Sequence, residues 1–386
     1  MRKSLIGITL IALCCAVASG QAAPAKPPAP AAKAEKPAKP SLWSQLPQET
    51  LKFSKPVPLP TAPQSPVMIG RIKCSPKGRA FLEIPMPPTY TLASSRFVAI
   101  DKDGKVTVFP KIGRPLGFKD VTPFYYFATD NAVYVLVGGT KIMPPAGLGE
   151  APAKGKYKYL ILRYSQDDTL EATETLATLQ GSFAPQKFAP LASGGFIVIG
   201  VDPVNNVPEM FLLDSDGRHP HQVDLAGSGL YSNAKLSKFY HDKRWKPGAP
   251  SMIPVHAIGA MQLVPYGRHV LLVQTGTNYP VAVLGNGGIQ RTVSLKLPPG
   301  AKIQYFIPSS EKTWYVKLAD SREPRRPNTI MAFDPVTGEP LRHILFTGSL
   351  PQYPIACESH GIWMSFRQVP RKGSKFGILA LLTASQ

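Results

Sequence analysis

The chain has 386 residues, with 44 Lys and Arg against 24 Asp and Glu, for a formal charge of +20. Its 42 prolines and 32 glycines exclude an architecture of long helices. The length allows two or three domains or one repeat array, while the charge attracts polyanions and is silent about fold.

Arg2 and Lys3 form a positive start, Leu5 to Val17 an apolar run, and Ala16, Ala18, Gly20 and Ala22 a small-residue stretch. This pattern predicts a secretory signal over residues 1–20, cut between about Ala18 and Ala23. The apolar run falls short of the roughly 20 residues that a spanning helix needs. Leu13 before Cys14, and Cys14 before Cys15, do not supply the small residue that a lipidation site places ahead of its cysteine. No later segment reads as transmembrane. The expected location is therefore outside the cytoplasm, periplasmic or extracellular. Export in turn makes nucleic acid the least fitting of the polyanions.

Residues 21–42, QAAPAKPPAPAAKAEKPAKPSL, carry no apolar periodicity and read as an extended, semi-stiff Ala/Pro/Lys linker. The remaining domain, 43–386, is built of short β-type runs. A first hairpin recurs at 71–84, 124–137, 188–200, 260–274, 303–318 and 354–366. Its turns fall at Gly78, Asn131, Gly194, Gly267, Glu311 and Gly361, spaced 53, 63, 73, 44 and 50 residues apart. A second hairpin follows at 97–109, 159–173, 210–225, 281–295 and 330–345, and a lone strand, FGILALLTAS, at 376–385. Four strands per roughly 50 residues is the blade unit of a propeller. The sixth unit lacks one strand, and ETLKFSKPV (49–57) is a spare strand upstream of the first hairpin. Pairing of 49–55 with 376–384 would close the ring and remove two sheet edges. The rival fold, a pair of β-sandwiches, predicts neither the periodic hairpin pair nor the lone last strand.

On these hairpins, and on the turns IDKDGKV and LDSDGRH, residues 49–386 resemble six-bladed β-propellers of the NHL type and related secreted repeat proteins. The resemblance implies an all-β, six-bladed β-propeller closed by an N-terminal strand that completes the last blade. Repeating WD or kelch double-glycine signatures are missing, so the resemblance is one of architecture.

Cys74 and Cys357 each lie four residues before the turn glycine of their hairpin, in the first and sixth repeats. A closed ring makes those repeats neighbours, and equivalent positions near the axis are where blades approach most closely. A disulfide between them is therefore expected, with two buried thiols in one seam as the alternative.

Motifs of chemistry are sparse. DKDG (101–104) and DSDG (214–217) are too short for a twelve-residue calcium loop and read as hairpin turns. His219 and His221 would share a strand face but have only Asp224 nearby, so no metal site is expected. No G-x-S-x-G, GxGxxG or phosphate loop occurs, so no catalytic residue and no cofactor is expected. Propeller lactonases and quinoprotein dehydrogenases place carboxylates or a metal near the central channel, whereas the innermost strands here carry few acids.

Charge is more telling. Loops between strands two and three and between blades emerge on one face, and that face collects bases such as Lys119, Lys141 and Lys187, while the opposite turns hold more acids. The longest insertion, 226–255, adds Tyr231, Phe239, Tyr240 and Trp245. Lys235, Lys238, Tyr240, Arg244, Trp245, Arg325, Arg326, Arg371 and Lys372 are the expected binding residues. The expected activity is that of an exported, non-catalytic binding or scaffolding module. Its partner would be an anionic polysaccharide, lipopolysaccharide or envelope protein. The alternative is an enzyme acting on a small molecule or saccharide at the central channel.

Overall fold

Each hairpin read from the sequence is a pair of adjacent strands in the computed structural model. It describes residues 45–385 apart from 64–70, 76, 90–91, 110–116, 143–153, 166–169, 176–182, 203, 206, 226, 233–252, 277–279, 308–312, 321–328, 350 and 371–376. The signal and linker assignments fall outside the described residues. The fold described below belongs to the unit Ser41–Gln386.

Two strands precede the first blade, β1 (Gln48–Phe53) and β2 (Val57–Pro58). Blade one is β3 (Ile72–Cys74), β4 (Ala80–Ile84), β5 (Arg96–Ile100) and β6 (Val106–Val108). Blade two is β7 (Phe118–Ala128), β8 (Ala132–Ile142), β9 (Lys154–Ser165) and β10 (Leu170–Thr175). Blade three is β11 (Ala184–Pro190), β12 (Phe196–Asp202), β13 (Val207–Leu213) and β14 (His221–Val223). A short helix, α1 (Ile253–Ala260), leads into blade four: β15 (Met261–Tyr266), β16 (His269–Gln274), β17 (Val281–Gly285) and β18 (Gly288–Val293). Blade five is β19 (Ala301–Ile307), β20 (Trp314–Asp320), β21 (Thr329–Phe333) and β22 (Pro340–Gly348). Blade six is β23 (Cys357–Ser359), β24 (Ile362–Val369) and β25 (Ile378–Ala384). Among the described residues these form six sheets whose blade strands run antiparallel to their neighbours, a six-bladed β-propeller.

The core lies in the seams between blades, because successive side chains of a strand point to opposite faces. On β8, Val133, Val135 and Val137 pack toward blade one and Leu136 toward blade three. On β4, Phe81 packs toward blade two, while Ala80, Leu82 and Ile84 pack toward blade six. A strand buried on both faces reads as a continuous apolar run, which is why the middle strands are so plain in the sequence.

The ring is closed by an N-terminal strand in the last blade, but the register differs from the expectation. Val57 and Pro58 of β2 pair with Leu381 and Ala380 of β25, and Ser54 and Leu59 N–H groups donate to Thr383 and Leu379 carbonyls, both at 2.8 Å. The expected partner, 49–55, instead lies mostly in β1, which runs parallel to β22 as a fifth strand of blade five. Two features explain the split. Leu51 and Phe53 alternate with exposed residues and fill the seam between blades five and six, where Phe53 stacks on Phe346 with ring centroids 5.0 Å apart. Pro56, Pro58 and Pro60 then remove every second donor, so the segment beside β25 is held by few hydrogen bonds and stays short.

At the seam between blades six and one, Cys74 and Cys357 form the expected disulfide, with Cα atoms 5.5 Å apart. The turn of blade one presses on that of blade six here. Gly78 has φ 78°, and a Cβ at that position would lie 2.1 Å from Ser359 Cβ, so only glycine fits. Ser359 Oγ donates to the Lys77 carbonyl at 3.3 Å across the same contact.

Two outcomes follow. Thiol titration of the mature chain, unfolded without reductant, should find no free thiol, and Cys74→Ala with Cys357→Ala should lower the unfolding free energy by about 2–5 kcal/mol; two free thiols would refute the bond. Phe53→Ala should cost roughly 3–5 kcal/mol, measured by denaturant unfolding. An unchanged midpoint would show that β1 contributes nothing to the seam.

Candidate functional site

The innermost strands surround an axial channel. Two adjoining cavities share Lys73 and Gln262, and together they touch the inner edge of all six blades. One, of about 330 Å³, lies among Ile72–Cys74, Gln262–Pro265, Gln304–Phe306 and the segment Tyr353–Ala356 that leads into β23. The other, of about 450 Å³, opens at the end where β3 begins and α1 ends, among Arg71, Lys73, Phe124, Tyr125, Gln186, Lys187, Ile258 and Gly259. Neither cavity has a carboxylate or a histidine among its described lining residues.

Three cations line the wider cavity. On β3, Cys74 is turned into the seam with blade six, so its neighbour Lys73 points the other way, toward blade two, where it lines both cavities, half-buried. Its Nζ donates to Tyr125 Oη at 2.7 Å and lies 4.5 Å from the centre of the Tyr125 ring. On β11, Phe188 fills the seam and Lys187 faces the channel. Its ammonium donates to the carbonyls of Gly259, at 3.0 Å, and Met261, at the C-terminal end of α1, where the helix dipole favours a cation. Arg71, at the rim, donates from Nη1 to the Phe124 carbonyl at 3.4 Å, and its Nε lies 3.8 Å from Glu83 Oε2. Glu83 sits behind it on β4, buried and bonded by Ser95 Oγ at 3.1 Å.

Burial and mutual repulsion set the protonation of this group. Desolvation, and then the Arg71 charge, bring Lys73 down from 10.5 to about 7, with Glu83 opposing. Desolvation, then Lys73 and Arg71, bring Lys187 to about 7 as well. Burial raises Glu83, and it raises Tyr125 and Tyr126 far enough to keep both phenols protonated. In the adjoining cavity Gln262 is aligned by blade five, its Oε1 accepting the Phe306 N–H at 3.1 Å. The channel is therefore a preorganised, cationic cavity with amide and aromatic walls.

No family model matches the chain, and none of the curated proteins does. Several solved structures are similar to the chain over most of its length. A Bacteroides fragilis NCTC 9343 protein whose name marks it as a candidate for export is 9% identical, with a TM-score of 0.43, over 87% of this chain and 99% of its own. Regucalcin, a calcium-binding protein of Agrobacterium tumefaciens C58, is 9% identical with a TM-score of 0.39, over 87% of this chain and 96% of its own. Porphyromonas gingivalis dipeptidyl peptidase 4 is 11% identical with a TM-score of 0.38, over 80% of this chain and 50% of its own, so this chain spans about half of that protein. At these TM-scores the likenesses bear on no ligand or activity.

Lys235, Lys238, Tyr240, Arg244, Trp245, Arg325, Arg326, Arg371 and Lys372 lie outside the described residues. Of the other bases expected on the loop face, Lys119, opposite Thr140, and Lys141, opposite Phe118, lie at neighbouring ends of β7 and β8, whereas Lys187 belongs to the channel. Arg71, Lys73 and the glutamines were not singled out in the sequence. Their signal is a base on or beside an innermost strand, where the face opposite a buried seam residue turns toward the next blade at the edge of the channel.

The two Asp/Gly pieces are hairpin turns, as expected. Asp101 Oδ1 accepts the Asp103 and Lys105 N–H groups at 3.1 and 2.8 Å, and Asp214 Oδ1 accepts the Arg218 N–H at 2.6 Å. His219 does not share a strand face with His221: it sits in the turn at φ 49°, with Nδ1 2.5 Å from Asp214 Oδ2. Asp214, Asp216 and His219 could bring ligand atoms within 4.8 Å of one another, but the hydrogen bonds of the turn already account for the grouping.

The lysines should leave a mark on stability. Both are bases with folded pKa values below their unfolded ones, so the unfolded chain binds more protons between about pH 7 and 10, and stability rises with pH across that window. Lys317, lowered to about 8 by desolvation, adds to the same slope. Urea unfolding at pH 7 and 9.5 should show the rise, and Lys73→Met and Lys187→Met should each flatten it. Equal slopes in wild type and variants would place those ammoniums in water.

Proposed function

We propose that this chain is an exported, non-catalytic binding module whose basic loop face, with the channel mouth at its centre, receives an anionic partner. The partner class is an acidic polysaccharide, lipopolysaccharide or acidic envelope protein. One observation carries this reading: the wall where a channel enzyme needs titratable acids or histidines is lined by Arg71, Lys73 and Lys187, with no carboxylate among the described lining residues. The net charge of +20 gives the same sign to the field around it. Export is supported by the N-terminal pattern and by the Cys74–Cys357 disulfide, a bond that persists in oxidising compartments. No helix among the described residues is long and apolar enough to cross a membrane.

Lys235, Lys238, Tyr240, Arg244, Trp245, Arg325, Arg326, Arg371 and Lys372 are the proposed contacts. Arginines grip carboxylate or sulfate in two-point geometry, and aromatic rings stack on sugars.

The test is chromatography of the mature chain on immobilised heparin. Wild type should be retained and eluted by salt, as expected for contacts that release counterions. Changing Lys238, Arg244, Arg325, Arg326, Arg371 and Lys372 to Glu should abolish retention and leave melting nearly unchanged, since exposed charges contribute little to stability. Unchanged retention of the folded variant would reduce the face to a solvated surface.

A further inference from the structure

The channel has features that an extended polyanion lying across a loop face does not use. Its three cations come from two blades, yet they line one cavity of about 450 Å³. Both ammoniums are positioned before any ligand arrives, Lys73 by the Tyr125 hydroxyl and Lys187 by the carbonyls that end α1. Both also lie within 6.0 Å of the centre of one ring, that of Tyr125. If these groups served only to tie blades together, a carboxylate would stand among them. The acid that approaches, Glu83, is buried behind Arg71 and lines neither cavity. The rest of the wall is mixed: Gln186 and Gln262 offer amides, while Phe124, Tyr125 and Ile258 offer apolar surface. Convergent polar groups on a mixed wall, in a cavity of this volume, suit a small ligand rather than a polymer.

We propose that the wider cavity is a binding site for the carboxylate or phosphoryl group of a monosaccharide-sized ligand, held by Lys73, Lys187 and Arg71. The amides meet ligand hydroxyls, and the Phe124 and Tyr125 rings cover its apolar face. This deepens the anionic-partner reading and rests on it for the sign of the charge. It adds a separate place, a size class and a coupling to protons.

The coupling follows from the surroundings. Lys73 faces Arg71, Glu83, Tyr125, Tyr126 and Lys187; Lys187 faces Lys73, Arg71 and Tyr125, and receives backbone carbonyls from α1, whose His256 is exposed. Across the channel, Tyr305 stays protonated, its pKa raised to about 12 by burial. Near pH 7.5 the two lysines are partly neutral in the empty channel. An oxyanion beside them favours their charged forms, so binding takes up protons, and affinity falls as pH rises from 7 to 9.

The test is isothermal titration calorimetry of the mature, disulfide-bonded chain with D-glucuronate, glucose 6-phosphate and glucose. Measurements at pH 7.5 in two buffers of different ionisation enthalpy count the protons. At least one acidic sugar should bind at least tenfold more tightly than glucose, with net proton uptake. Lys73→Gln and Lys187→Gln should weaken it by at least tenfold, while Lys102→Gln, on the far turns, should not. Lys73→Arg, which keeps the charge but does not titrate in this range, should retain binding with reduced uptake. Preference for glucuronate or for the phosphate ester tells the two oxyanion sources apart, and either supports the site. Glucose binding as tightly as both acids, or no proton uptake, or a folded Lys73→Gln that binds like wild type, overturns it. A chain retained on heparin that binds neither acid sinks this inference alone. One that binds glucuronate but passes through heparin sinks the loop-face reading alone.

Discussion

A ring of sheets is only as stable as the seam between its first and last members. Every other seam joins blades consecutive in sequence, but blades six and one are brought together by residues 283 positions apart. The chain secures that seam at three places. The Cys74–Cys357 bond holds the axis, where cross-linking a long loop removes the most freedom from the unfolded chain. Gly78 lets the two turns meet at one end, since any side chain there would collide with Ser359. Leu59 and Ala62, following β2, pack with Leu379, Leu381 and Phe366 in the same cluster as the disulfide.

The outermost closure is economical in hydrogen bonds because it does not act alone. β2 contributes a short ladder on β25, while β1, just upstream, is anchored along six residue pairs of β22 in blade five. Arg342 Nε bonds Glu49 Oε2 at 2.8 Å, and Leu51 and Phe53 enter the five–six seam beside Trp363. One short segment therefore spans two blades, and its anchored half limits the entropy that the weaker half must overcome. A proline-rich closing strand also has few donors to offer a second chain, which blunts the edge it leaves.

Much of this architecture is legible in the sequence because blade strands are buried on both faces. Runs such as FIVIG and HVLLV, broken by turn glycines, mark hairpins without any alignment. The cysteine pairing is legible because equal distance from a turn glycine means equal depth in a blade. The route of residues 48–53 is not. Alternation of Leu51 and Phe53 says that the segment is half-buried against one neighbour, and β22 and β25 both present a free edge to it. The choice is made by how a parallel strand fills the seam around Phe346 and Trp363, which is tertiary information. The channel cations were obscured differently: lysine and arginine in short strands read as surface charge until the ring shows which surface faces inward.

That inward surface also explains how a strongly basic chain keeps bases in its centre. Like charges drawn together in a half-buried space repel and lose hydration, and the molecule relieves both by letting protons go, which is why two lysines fall to about 7. The relief is partial, because Arg71 cannot deprotonate and continues to bear on both. An anion entering the channel restores hydrogen-bonding partners and charge balance together. In the resting chain the same arrangement is a standing cost to stability. The seams make it tolerable, because the apolar clusters between blades hold the six inner strands around the axis, and hydrogen bonds such as Lys73 to Tyr125 and Phe306 N–H to Gln262 only add to them.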